Sequence, residues 1–286
     1  MPETLTSPTV APSSVGGGDN ATHSRRNRSS RLSALGRIGG KVLISTIGLV
    51  VLAVLWQVLP SQHIVDPTFV TPLDQVASTW WHMLQDGTLW SNARDSLIRA
   101  GVGLGAGTAL GVSLGLLIGA NRRVADLLNP VLELFRNTAP LALLPVFILI
   151  LGIGQTSKFV FIGYSCLFPI LLNTISAVKT VDPLLVKSAR GLGFNQFRIF
   201  QKVVVPASLP QIFTGIRLAG GYALLVLIAA EFVGANSGLG FLITNSEQNF
   251  QSPMMYAAII TISGIGVILN FVLLRIERRF STWRVA

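Results

Sequence analysis

Six stretches of this chain are each apolar for about the 20 residues a helix needs to cross the hydrocarbon of a bilayer: residues 42–59, 97–120, 127–151, 159–178, 212–233 and 255–274. In hydrocarbon every backbone donor and acceptor must be satisfied within the chain, and segments of this length do so as helices. The sequence therefore predicts an all-α, polytopic membrane protein with six transmembrane helices. Composition agrees, since half of the 286 residues are hydrophobic and only 12% are charged.

A formal net charge of +10 would suit nucleic acid, but the placement of the cations argues for topology instead. Arg25, Arg26, Arg28, Arg31, Arg37 and Lys41 precede the first span, Arg122 and Arg123 follow the second, and Lys179, Lys187, Arg190, Arg198 and Lys202 lie between the fourth and fifth. Arg275, Arg278, Arg279 and Arg284 follow the last, whereas the segments on the opposite side hold Arg94, Arg99 and Lys158. Cations concentrate on the cytoplasmic side, so both termini and the loop between the fourth and fifth spans are expected there, with no nucleic-acid partner. Residues 1–40 read as a disordered basic tail, and the pair Arg25–Arg26 is followed by no small-residue cleavage site, so the first span reads as an uncleaved anchor. Residues 41–93 comprise that span and an outer interfacial segment, and 94–286 the membrane core with a long polar loop at 180–206.

Cys166 is the sole cysteine and lies in an apolar span, so neither a disulfide nor a thiol-held metal is expected, and no cofactor is. His23, His63 and His82 have no nucleophile near them in sequence, which argues against an enzyme.

Several local patterns carry structural meaning. An amphipathic stretch at 73–84 carries Trp80 and Trp81 and is followed by Trp90, as expected of a helix lying at headgroup depth. Gly103, Gly107, Gly111, Gly115 and Gly119 are spaced by four and pave one helix face for close approach of a neighbour, within the subunit or at a dimer seam. Pro140 and Pro145 should bend or break the third span, which also carries Glu133, Arg136 and Asn137. Glu133 and Arg136 are three apart and can pair on one helical face. Glu231 stands near the outer end of the fifth span just before a glycine-rich turn at 234–240; a role in the path or outer gate and a structural role bonding that turn both fit.

The loop at 180–206 is too long for a minimal turn. Asp182–Pro183 stops the fourth helix, residues 184–192 read as a short amphipathic helix with Gly193 just past its end, and residues 194–205 read as a second helix ending at Pro206. Two short helices meeting at a glycine make a projecting knob suited to docking another protein.

Here the sequence resembles the permease subunits of type I, binding-protein-dependent ATP-binding-cassette importers. Their cytoplasmic signature runs Glu-Ala-Ala, three residues, Gly, nine residues, then aliphatic-x-aliphatic-Pro. The corresponding positions are Lys187, Ser188 and Ala189, Gly193, and Val203, Val205 and Pro206, with the first two departing from the pattern. In the family the acidic lead residue faces a basic surface on the ATPase, so Lys187 alters that pairing while the small-residue and glycine geometry is kept. The stretches LELFRNTAPLALLPVFILILGIGQTSK and AAEFVGANSGLGFLITNS look most like the branch importing aliphatic sulfonates, taurine and nitrate. The resemblance implies ATPase coupling through Lys187, Ser188, Ala189, Gly193 and Pro206, and a substrate pathway near Arg136, Asn137 and Glu231. It also implies two ATPase subunits, a second permease copy, an extracytoplasmic solute-binding protein, and residence in a bacterial inner membrane.

The chain has no G-x-x-x-x-G-K-[ST] phosphate loop, so ATP hydrolysis is expected of a partner. An ion-coupled secondary transporter is the main alternative; it would want midplane carboxylates or an inverted repeat, and the two halves show no clear self-similarity. A channel would want charge rings or a carbonyl filter, and neither motif occurs.

Overall fold

The computed structural model describes residues 47–281 except 49, 52, 63–65, 67 and 68; the expected N-terminal tail and the start of the first expected span lie outside it. Residues 53–61 are helical, and residues up to Val58 form a unit separate from Leu59–Ala286. All regular structure among the described residues is helical.

Pro72 opens α1 (Leu73–Gln85), which buries Val76 and Met83 and donates the Trp80 indole N–H to Thr261 Oγ1 at 2.9 Å, while Trp81 stays exposed. Gly87 then takes φ +80°, letting the chain reverse into α2 (Thr88–Ala120). Asn121 ends α2 and caps α3 (Arg122–Asn137) by accepting the Arg123 N–H.

The third expected span is broken. Thr138 and Ala139 are extended, Pro140–Leu143 forms a 3-10 turn and α4 (Leu144–Leu151) follows it, with the two parts bent by 78°. Pro140 and Pro145 each sit in a first helical turn, where a missing N–H costs nothing, so the break falls just ahead of them.

α5 (Gln155–Lys179) is the central helix. It is followed by α6 (Pro183–Gly191), α7 (Gln196–Ile199), a π turn at Phe200–Val204, and α8 (Val205–Phe232). The expectation that the knob's second helix stops at Pro206 is corrected: Gln196–Phe232 runs as one 37-residue helix. A π turn just before Pro206 widens the coil where the ring would meet the preceding carbonyl, which removes the usual reason for termination. α9 (Leu239–Gln248) and α10 (Ser252–Ser281) complete the chain.

Four described helices are long and apolar enough to cross a membrane, five if the bent pair is counted as one broken span. The core packs Phe161, Ile162, Cys166 and Ile170 of α5 against Ala219, Ala223 and Leu227 of α8. The glycine row explains how α2 joins them. A Cβ at Gly103 would lie 2.5 Å from Ile162 Cγ2, one at Gly107 2.7 Å from the Gly163 carbonyl, and one at Gly115 2.5 Å from Thr174 Cβ. The row therefore seats α5 backbone to backbone within one subunit, where dispersion contact replaces the hydrophobic drive that lipid removes. A second cluster joins Val76 and Met83 of α1, Leu239 and Leu242 of α9, and Ala257 and Ala258 of α10.

Candidate functional site

Three constellations stand out, two at opposite ends of the long helix that contains α8 and one between them. At the end where α2 and α5 begin and α8 finishes, Arg99 and Glu231 are buried, 2% and 1% exposed, and pair at 2.5 Å. Arg99 also donates Nε to Gln155 Oε1 at 2.7 Å, Nη1 to the Ser237 carbonyl at 2.6 Å and Nη2 to Ser237 Oγ at 2.8 Å. Glu231 accepts the Ser96 hydroxyl, 2.8 and 2.9 Å from its two oxygens, and the Gly240 N–H at 2.8 Å. Ser96 in turn accepts the Leu239 N–H, and Asn92 the Gly238 N–H, both at 2.8 Å. Lys158 is buried beside them with its Nζ 3.2 Å from the carbonyls of Gly154 and Gly234.

Local sequence makes this possible. Gly238 has φ +114°, and a Cβ there would collide with the Glu231 carboxylate; at Gly240 it would lie 2.7 Å from Glu231 Cβ. The turn after α8 can thus wrap the carboxylate with its own backbone. A buried charge pair is tolerable when its remaining polar atoms are hydrogen-bonded, and here each guanidinium nitrogen of Arg99 and both oxygens of Glu231 have a partner. The result is a clasp tying α2, the start of α5 and the turn into α9. Sequence reasoning singled out Glu231 and missed Ser96, Arg99 and Lys158. The signal was present, since a lone arginine at the start of an apolar span needs a carboxylate partner.

The second constellation is a cavity of about 550 Å³ beside the broken span, bounded by Phe135, Thr138, Tyr164, Phe168, Asn173 and Tyr222. A neighbouring cavity of about 320 Å³ shares Thr138, Pro140 and Tyr222, so the bend at 138–140 opens both. Phe135 stacks on Phe168 at 5.2 Å and Tyr164 meets Phe168 edge-on at 5.1 Å, giving an aromatic wall with hydroxyl and amide groups along it. Arg136 and Asn137 close α3 directly between two of the lining residues in sequence, and their side chains lie outside the described structure. Glu231 does not line either cavity.

The third constellation is the knob, at the opposite end. Asp182 caps α6 by accepting the Leu184 N–H at 2.8 Å, with Pro183 at the first helical position. Gly193 takes φ +79°; its N–H reaches the Arg190 carbonyl at 3.0 Å and the Phe194 N–H the Ala189 carbonyl at 3.2 Å. This is the double-bonded Schellman closure, which needs a left-handed residue at that position. Asn195 then caps α7 through the Arg198 N–H at 2.8 Å. Lys187, Ser188 and Pro206 are exposed, while Ala189 is buried, so its small side chain sets how closely α6 lies on the rest of the loop.

Residues 107–282 match the model of the binding-protein-dependent transport system inner membrane component family. The chain is similar to the taurine transport system permease protein TauC of Escherichia coli, 30% identical over 89% of this chain and 94% of that one. It is 33% identical to SsuC of Bacillus subtilis, named as an aliphatic sulfonates transport permease, over 82% of this chain and 85% of that one. It is 34% identical to the bicarbonate transport system permease protein CmpB of Synechococcus elongatus over 70% and 69%. Among solved structures, a chain of the inward-facing MetNI methionine ABC transporter superposes with a TM-score of 0.60 at 18% identity, over 71% of this chain and 98% of that one. That likeness shows a shared fold. The chain belongs to the binding-protein-dependent transport system inner membrane component family.

Proposed function

We propose that the chain works as a permease subunit importing a small anion, an aliphatic sulfonate above the other candidates, by alternating access driven from separate ATPase subunits. The family implies an ATPase and a substrate-binding protein as partners. In this reading the knob is their coupling point, through Lys187, Ser188, Ala189, Gly193 and Pro206. A second copy of the chain completes the membrane unit, two ATPase copies power it, and a solute-binding protein delivers the anion on the far side. Six spans place both termini and the knob in the cytoplasm, as the distribution of arginine and lysine favours.

The observation that carries the reading is the capped, glycine-closed knob at the base of a continuous 37-residue helix. ATP-driven closure of the partner subunits would displace the knob as a rigid piece, and the helix would carry that displacement into the membrane, to the stretch that lines the cavity. The cavity beside the bend supplies neutral hydroxyl and amide donors for an anion in transit, and Arg136 and Asn137, next to its lining in sequence, are proposed as further pathway residues. Glu231 serves this path indirectly, by holding the turn at its outer end.

The test is reconstitution of the chain with the ATPase and binding protein that co-purify with it, followed by ATP-dependent uptake of labelled taurine and an alkanesulfonate. Gly193→Pro should abolish coupled uptake. Uptake that continues without the ATPase, driven by an ion gradient, would overturn the reading in favour of secondary transport.

A further inference from the structure

Between Pro183 and Pro206 there is no acidic residue, while Lys187, Arg190, Arg198 and Lys202 are all exposed. Next to this stretch in sequence, Asp182 caps α6 by accepting the Leu184 N–H. Among these cations stand large apolar side chains open to solvent: Leu184 and Leu185 on α6, Leu192 at its end, 76% exposed, and Phe197 on α7, 66% exposed. On α6 the residues 184, 185, 188 and 192 fall on one helical face, with Lys187 at its margin and buried Ala189 beyond the other edge. The Schellman closure at Gly193 and the Asn195 cap fix this arrangement before any partner arrives.

Building on the coupling role proposed above, we infer that the knob's partner on the ATPase is an apolar socket rimmed with carboxylates. Such a socket would take Leu192 and its apolar neighbours, while its acidic rim faces Lys187, Arg190 and the α7 cations. The burial supplies most of the affinity, and the rim charges set the rate and selectivity of docking. Charge complementarity then selects among ATPases, because a socket with a basic rim would meet four cations and no counter-charge. An anionic lipid surface offers the same charge sign, but a pre-formed helix-turn-helix presenting side chains from two helices fits a concave protein site, and the chain needs an ATPase.

The test uses the full-length chain in nanodiscs of zwitterionic lipid and the ATPase subunit that co-purifies with it. At low ionic strength Lys187→Glu should weaken association roughly five- to ten-fold, in line with loss and reversal of one exposed charge pair. Near 1 M salt, where screening reaches about 3 Å, that difference should vanish. Leu192→Ser should weaken association at both salt concentrations. Unchanged or tighter binding by Lys187→Glu would overturn the acidic rim while leaving the docking reading intact. An effect that appears only when anionic lipid is added would overturn it in favour of a membrane contact. If Gly193→Pro binds and couples as well as the unmodified chain, the coupling reading itself falls, and this inference with it.

Discussion

Replacing Arg99 by leucine should be among the most damaging single changes in the chain, and the clasp geometry gives the size of the effect. The substitution removes four hydrogen bonds, to Gln155, Glu231, the Ser237 carbonyl and the Ser237 hydroxyl. More importantly it leaves Glu231, 1% exposed, with the Ser96 hydroxyl and the Gly240 N–H but no counter-charge in contact, the nearby Lys158 being bonded to the Gly154 and Gly234 carbonyls instead. Breaking a buried pair from one side costs about 3–5 kcal/mol, most of it the penalty of the stranded charge. Replacing both partners by apolar residues removes that penalty, so Arg99→Leu with Glu231→Leu should be less destabilised than Arg99→Leu alone despite carrying the extra substitution. Thermal unfolding in lipid nanodiscs, with limited proteolysis of the 233–240 turn as a local readout, measures both. An Arg99→Leu cost under about 1 kcal/mol, or strictly additive losses in the double variant, would refute the view that the two residues act as one desolvated unit.

Three further expectations follow from named contacts. Gly115→Val should lower the unfolding midpoint by an overpacking cost of about 1–3 kcal/mol, because its Cβ would lie 2.5 Å from Thr174 Cβ, whereas Gly105→Ala, with open space around it, should be neutral or mildly stabilising. Gly193→Ala should leave the membrane core folded, cost about 1–2 kcal/mol locally at φ +79°, and reduce ATP-coupled uptake with enhanced proteolysis of the knob as its signature. Trp80→Phe should cost about 0.5–1.5 kcal/mol through the lost bond to Thr261 and loosen α1 from α10, visible as faster hydrogen exchange in α1.

The apolar spans, the break ahead of Pro140 and the helix end at Gly193 were legible in the sequence because each has a local cause: length in hydrocarbon, a missing donor, a left-handed residue. The same holds for the glycine row, although its partner was not legible. Spacing by four says that some helix comes close, and only the fold shows that Ile162, Cys166, Ile170 and Thr174 fill the groove. What escaped were pairings across long sequence separations. Nothing near Glu231 in sequence points to Ser96 or Arg99, which lie on another helix. Pro206 misled for a related reason: its effect on a helix depends on the turn before it, and a π turn at Phe200–Val204 absorbs the ring.

That last point bears on how force could cross the membrane. The helix spanning Gln196–Phe232 has 37 residues, about 55 Å at 1.5 Å per residue, against roughly 30 Å of hydrocarbon. It must project well beyond the apolar layer, and the projecting portion carries α7 and the π turn directly into the knob. Its other end holds Glu231, one residue from the helix terminus and locked to α2 by Arg99 and Ser96. A push on the knob therefore meets a rod clamped at its far end. Two places along it can give: the π turn, where the hydrogen-bond register is already shifted, and Pro210, whose missing N–H leaves a carbonyl free one turn earlier. Flexure concentrated there would rock the middle of the helix, where Leu218 and Tyr222 line the cavity, while the clasp keeps the far turn in place. If the knob is the coupling point proposed above, the clasp's stiffness and a rocking of the cavity wall would be two consequences of one helix fixed at one end and driven from the other.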